Sequence, residues 1–414
     1  MRILLITSMV PDREGIGAMP KLFSAQLNGL LARHEVTLLA SFGEDRGQAE
    51  AAAALLGSGL DAHFVDRRRS SSPARRWQVR GELAAQWLTR GWPWRVVCGA
   101  AGIQPLIDRL SASRSFDLIA AEDNPLAVLR FPPGLTRVLT EHEAVRAPAA
   151  DWLASARGAE RARRGLRARD WRRWEAYLPG AWRRFDLVQV YCETDAAAIR
   201  RQTPEISARV RVDPYGIELP DALDPAREQP DTILFSGTFA HLPNRDAARW
   251  LAAQILPVVR RHHPQVRLRL IGSAPPREIL ELAGPGIEVI ADAPSMEPHL
   301  EAAAVVLAPV RSGGGMRMKV LEAMARRKAV VTTPLGAEGF TSLAPDPPLL
   351  IAEDAEELGA GVARLLSEVE GRRRLAARAR EFAERHHSPD AWAARLEVVY
   401  EEAQRLRASG APSP

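Results

Sequence analysis

The first 45 residues alternate between two kinds of apolar pattern. RILLITSMV is a continuous apolar run, as expected for a parallel strand buried on both faces. PDREGIGAMP reads as a loop carrying Gly15 and Gly17, and KLFSAQLNGLLARH then places Leu22, Phe23, Leu27, Leu30 and Leu31 at helical spacing. EVTLLASF returns as a second strand, completing a βαβ unit. Strand-like runs recur at DAHFVD, FDLIAAE, TRVLTEHE, FDLVQVYC and ARVRVDPYG, with helical segments between most of them. Residues 218–231, ELPDALDPAREQPD, break the alternation with three prolines and a cluster of acids, the composition of a linker. A second alternation follows. TILFSG, VRLRLIG, IEVIA, VVLAPV, AVVTT and PPLLIA read as strands, and NRDAARWLAAQILPVVRRHH, PPREILELAG, MEPHLEAA and VLEAMARR as helices. Two further helices are expected over 354–385, with a break near Glu370, and over 389–408. The pattern predicts an α/β chain of two Rossmann-like doubly wound domains, 1–217 and 232–387, joined by 218–231 and followed by a helix and tail at 388–414.

Composition narrows the class. A chain of 414 residues with 46% apolar and 26% charged side chains suits two ordinary domains and argues against long disorder. Net charge is +5, and among 56 cationic side chains only Lys21, Lys319 and Lys328 are lysines. Cys98 and Cys192 are far apart and lack metal-ligand spacing, which excludes a disulfide framework or zinc cluster and fits a reducing cytoplasm. The opening apolar run is too short for a secretory signal, and no run approaches the roughly 18 residues of a membrane span. Residues 66–95 mix many arginines with Trp77, Trp87, Trp92 and Trp94, and 151–184 repeats that character. Such a surface is either a solvated helix with partly buried tryptophans or a contact for a membrane face or a large anionic acceptor. No nucleic-acid-binding motif accompanies the arginines, so nucleic acid is not an expected partner.

In open α/β sheets ligands bind beyond the carboxyl ends of the strands, which singles out three glycine-bearing loops: PDREGIGAMP, SGTFAHLPN with Gly237, and RSGGGMR with Gly313, Gly314 and Gly315. Bare backbone at a helix N-terminus is an anion site, and Arg317 and Lys319 lie in that same turn. Cations there oppose the helix dipole, a cost that a bound polyanion would relieve. Glu322 interrupts the apolar pattern VLEAMA, where ribose hydroxyls or solvent could satisfy it. His142, in LTEHE, ends a strand between Glu141 and Glu143 and is expected to point toward the ligand side.

The stretch APVRSGGGMRMKVLEAMARRKAVVTTPLGAEGF resembles the nucleotide-sugar signature of the retaining GT-B glycosyltransferases of family GT4 (glycosyl transferases group 1), nearest its bacterial surface-polysaccharide branch. SGTFAHLPNRDAARWLAAQILPVVRRHHPQVRLRLIG, with its turn at Pro243 and Asn244, is similar to the start of that family's donor-binding domain. RVLTEHE and FDLVQVYCETDAAAIR match less sharply, and together the resemblance spans nearly the whole chain. It implies two domains facing across a cleft, with the C-terminal helix crossing back to the first. It also implies a cytoplasmic, metal-independent transfer, with retention, from a nucleoside diphosphate sugar to a saccharide or lipid-linked acceptor. No further cofactor is implied, and residues 66–95 offer a peripheral contact with the inner face of a membrane. By position, Glu322 would bind the donor ribose, Arg317 and Lys319 the phosphates, and Gly15 and Gly17 would close over them. Gly237 and the glycine triplet would line the phosphate loops, and His142 would lie near the transferring sugar.

Two departures stand out. The family's paired glutamates flank seven residues, and the first position here is Gly314. SGTFAHLPNRD also lacks the usual arginine and lysine for the diphosphate, with Arg245 nearby but not in a matching place. A catalytically silent GT-B module acting as a scaffold, and a nucleotide-sugar epimerase on the same fold, are the alternatives.

Overall fold

The computed structural model describes residues 1–13, 17–43, 46–67, 73–142, 144–145 and 159–410. The chain forms two compact units, Met1–Asp213 together with Ala393–Pro414, and Pro214–Trp392.

The first unit is built on a parallel seven-stranded sheet: β1 (Arg2–Thr7), β2 (Glu35–Phe42), β3 (Ala62–Asp66), β4 (Leu118–Glu122), β5 (Thr136–Thr140), β6 (Leu187–Val190) and β7 (Val210–Val212). Their order is β3-β2-β1-β4-β5-β6-β7, so the winding reverses between β1 and β4. Both central strands are buried beyond their first residues, as their continuous apolar runs require. The unit also takes the last helix, Pro389–Ala408, from Ala393 onward. There Arg395 Nε lies 2.6 Å from the buried Asp213 carboxylate, Arg407 lies 3.3 Å from Asp186, and Arg211 pairs with Glu402.

The second unit holds six parallel strands: β8 (Thr232–Ser236), β9 (Arg267–Gly272), β10 (Ile287–Ala291), β11 (Val305–Ala308), β12 (Ala329–Thr332) and β13 (Leu350–Ile351). Their order, β10-β9-β8-β11-β12-β13, puts the reversal between β8 and β11. Residues 218–231 lie within this unit. They are fastened to it by Arg227 on Glu301 at 2.7 Å and by Glu228 on Arg372 at 2.8 Å.

Three helices differ from the pattern read along the chain. The helix expected from Asn244 to His263 is three pieces, Leu242–Trp250, a π-turn at Leu251–Ile255, and Leu256–Arg260. Pro257 explains the break, because its ring cannot pack against the carbonyl four residues back in a regular helix. PPREILELAG yields only Arg277–Leu280. The break expected at Glu370 falls at Glu368, between Ala355–Ser367 and Val369–His387. Among the described residues no helix is long and apolar enough to cross a membrane.

Candidate functional site

At the carboxyl edge of the second sheet, β8 and β11 lie side by side, with Val305 paired to Ile233 and Val306 to Leu234. The loops that leave them therefore start at the reversal point, where a doubly wound sheet opens a crevice. The loop after β8 carries Gly237 and leads into the helix Leu242–Trp250, whose first turn holds Pro243 and Asn244, and the loop after β11 carries the glycine triplet. The two touch, because a Cβ built on Gly313 would lie 3.3 Å from Pro243 Cγ.

Lys319 joins them. Its amino group donates to Asn244 Oδ1 at 2.7 Å and sits 4.3 Å from the centre of the Phe235 ring. A Cβ on Gly237 would come within 2.8 Å of both this nitrogen and Asn244, so Gly237 is the space that lets the lysine reach the turn. The residue as a whole is half-buried, but its amino group is enclosed. Burial first, and Arg317 second, pull its pKa down to about 7, against the opposing pull of Glu322.

The triplet is held from several sides. Gly313 and Gly315 have φ of 95° and 75°, a region that side chains rarely adopt, whereas Gly314 does not share it. Arg317, the residue capping the helix Met318–Ala325, donates to the Gly313 carbonyl at 2.9 Å and also to that of Gly314. Arg311 is clamped on Asp246 at 2.7 and 3.0 Å and lies over the Trp250 ring. The Tyr215 hydroxyl donates to the Met316 carbonyl at 3.1 Å. This loop is pre-shaped, and it runs directly into the N-terminus of the helix Met318–Ala325, the end of a helix that favours anions. Glu322 lies in the same helix, half-buried. Arg245 is spent locally, donating to the Phe239 carbonyl at 2.5 Å.

The structure thus brings Gly237, Gly313, Gly314, Gly315, Arg317, Lys319 and Glu322 together in the second unit. Arg317 shores up the loop with its guanidinium, and Lys319 is the cation whose charge burial opposes. Asn244 and Tyr215 are partners that sequence reading did not assign to the site. The Pro–Asn turn was a signal for Asn244; nothing in the sequence marked Tyr215.

Gly17 and His142 belong to the first unit, and Gly15 lies outside the described residues. Gly17, at φ 92°, precedes the helix Ala18–Leu31, which follows the loop after β1. His142 follows β5 and meets Phe23 and Tyr191 edge-on, at 5.9 and 5.2 Å between ring centres. Among the described residues its acidic neighbour is not the flanking Glu141. Glu141 points the other way and accepts from Trp182 Nε1 at 2.9 Å and Asn124 Nδ2 at 2.7 Å, as strand alternation requires. Glu143 lies outside the described residues. Instead Glu122 Oε2, at the end of β4, stands 3.7 Å from His142 Nε2. The loop beyond His142 is anchored by buried Asp195, whose Oδ1 accepts from the amides of Ala144 and Val145, each at 2.9 Å.

Two doubly wound units of this topology constitute the GT-B fold. Residues 230–368, within the second unit, match the family described as glycosyl transferases group 1. Solved structures share the fold over nearly the whole chain. The N-terminal domain of Candida albicans trehalose-6-phosphate phosphatase has a TM-score of 0.66 at 12% identity, covering 97% of each chain. An E. coli trehalose-6-phosphate structure bound with UDP-2-fluoro glucose gives 0.64 at 14%, covering 97% of this chain and 99% of that one. Sucrose-phosphate synthase from Thermosynechococcus elongatus gives 0.60 at 16%, covering 98% and 99%. In sequence the chain matches none of the curated proteins compared.

Proposed function

We propose that the protein is a retaining, metal-independent glycosyltransferase of family GT4, moving a sugar from a nucleoside diphosphate sugar to a saccharide or lipid-linked acceptor in the synthesis of surface polysaccharide or glycoconjugate. One observation carries the reading. An enclosed lysine, a pre-shaped glycine loop and a helix N-terminus converge at the reversal point of the sheet, inside the region that matches glycosyl transferases group 1. The leaving group of such a reaction is a nucleoside diphosphate, and catalysis requires its developing charge to be met. Lys319 supplies a cation, the loop amides supply dipoles, and Glu322 accepts from the ribose hydroxyls. Arg317 keeps the loop in the shape that receives the phosphates, and Gly237 leaves room for the lysine. His142, in the first unit, meets a substrate hydroxyl.

The work is cytoplasmic in this reading, with peripheral membrane contact through 66–95. The helix Pro73–Arg90 supports that contact: it exposes 73% of Trp77 and 61% of Leu88 among its arginines. Its far end is fastened by Trp87 Nε1 on Asp170 at 2.8 Å.

Gly314 favours the second reading, a catalytically silent module, because a carboxylate usually stands there. Turnover separates the two. Wild-type protein given UDP- and GDP-sugars with a lipid-linked saccharide extract should release nucleoside diphosphate only when the extract is present. The new linkage should keep the donor's anomeric configuration by NMR. Nucleotide binding without release under any pairing would support the silent module, and an inverted anomer would sink retention.

A further inference from the structure

We propose that Glu122 is a positioning residue for His142: it holds the ring proton on Nε2 and so presents Nδ1 as the acceptor for a substrate hydroxyl. The role of His142 itself rests on the proposed function; the effect of Glu122 on the ring does not.

Glu122 ends β4 at the reversal point of the first sheet and is fully buried. Its register partner across the ladder is Thr140, two residues before His142. One of its oxygens is fully engaged: Oε1 accepts from Gln26 Nε2 at 2.6 Å and from Thr140 Oγ1 at 2.9 Å. The other, Oε2, is buried without a hydrogen-bond partner among the described residues, and so is His142 Nε2, 3.7 Å away. Two unpaired buried polar atoms that close together would each carry a desolvation penalty, which a small rotation of the ring removes. A carboxylate only accepts, so the shared proton must sit on Nε2. Which nitrogen of a histidine is protonated is set by the bond the other nitrogen makes, so the choice propagates across the ring to Nδ1.

The surroundings support the assignment. Phe23 and Tyr191 grip the ring edge-on and limit it to small rotations. Tyr400, from the last helix, is buried beside Gln26 and Glu122; burial and then the Glu122 charge keep its phenol protonated well above its ordinary range. Glu141 accepts from Trp182 and Asn124.

The test is Glu122→Gln, read by the 15N shifts of the ring nitrogens in histidine-labelled protein, with His142 assigned by its loss in His142→Asn. Gln26 and Thr140 donate to the position of Oε1, so the new carboxamide places its oxygen there and turns its NH2 toward His142. The neutral ring should therefore switch from the Nε2–H to the Nδ1–H form. In the transfer assay kcat should fall about 10- to 100-fold with KM for the donor little changed, the usual scale for losing a group that orients a working histidine. Thr140→Val, which loosens Glu122 without altering its charge, should give a mixture of the two forms and serves if the first variant folds poorly. Unchanged ring nitrogens in either folded variant would overturn the proposal. A wild-type protein with no transfer but with the tautomer switch would leave Glu122 as assigned and refute the proposed function instead.

Discussion

Near pH 7 the Lys319 amino group stands at the middle of its titration, since burial and Arg317 oppose the charge that Glu322 favours. A bound diphosphate would tip it to the charged form. Binding at pH 8 should therefore take up a substantial fraction of a proton, read as the slope of calorimetric enthalpy against buffer ionisation enthalpy. Lys319→Met should abolish that uptake. The sign for stability follows as well. The unfolded lysine keeps its proton up to its ordinary range near 10.5 while the folded one releases it near 7. The unfolded state thus binds more protons between those values, and stability of the free protein should rise with pH across that window. Lys319→Met should flatten that slope. Within the triplet the three glycines are unequal: Gly313→Ala and Gly315→Ala force a side chain into left-handed backbone and should each cost about 1–2 kcal/mol by urea unfolding. Gly314→Glu meets no such demand and should fold with stability close to wild type. Lys319 and Glu322 were legible in the sequence, as one of only three lysines and as an acid within an apolar pattern. Glu122 was not, because its relation to His142 is made by strand register rather than by nearness along the chain.

At the scale of elements, the strand runs were readable because parallel strands buried on both faces leave unbroken apolar stretches. The helices were less so: Pro257 splits one into α, π and α pieces, an effect of backbone sterics that the apolar spacing conceals. Loop fixation was hidden too. Asp195, in the first turn of the helix Glu193–Gln202, looks like an ordinary helix-start acid, yet it is fully buried and holds the loop after His142. Asp195→Ala strands two amides and should cost roughly 2–4 kcal/mol by urea denaturation. Activity should fall with it. An exposed acid of the same type, such as Glu193, should have little effect on replacement by Ala, within about 0.5 kcal/mol.

At the scale of the whole molecule, alternation of strand and helix was enough to read two doubly wound units, but not which unit the intervening segment joins. Residues 218–231 look like a linker by composition, and it takes pairs such as Arg227–Glu301 and Glu228–Arg372 to reveal that they pack on the second unit. The last helix carries a related consequence. Deleting 393–414 strips Asp213 and Asp186 of Arg395 and Arg407 and removes Tyr400 from the first core. Calorimetry should then show the first unit's transition lost and the second unit's retained.

The central claim is that the loops of the second unit hold a nucleoside diphosphate, and a calorimetric titration of UDP, GDP, ADP and CDP tests it most directly. The account predicts that at least one binds the wild-type protein in a 1:1 complex, and that Glu322→Ala and Lys319→Met each weaken it by tenfold or more. No binding by any of the four, or binding that both variants leave intact, would contradict it.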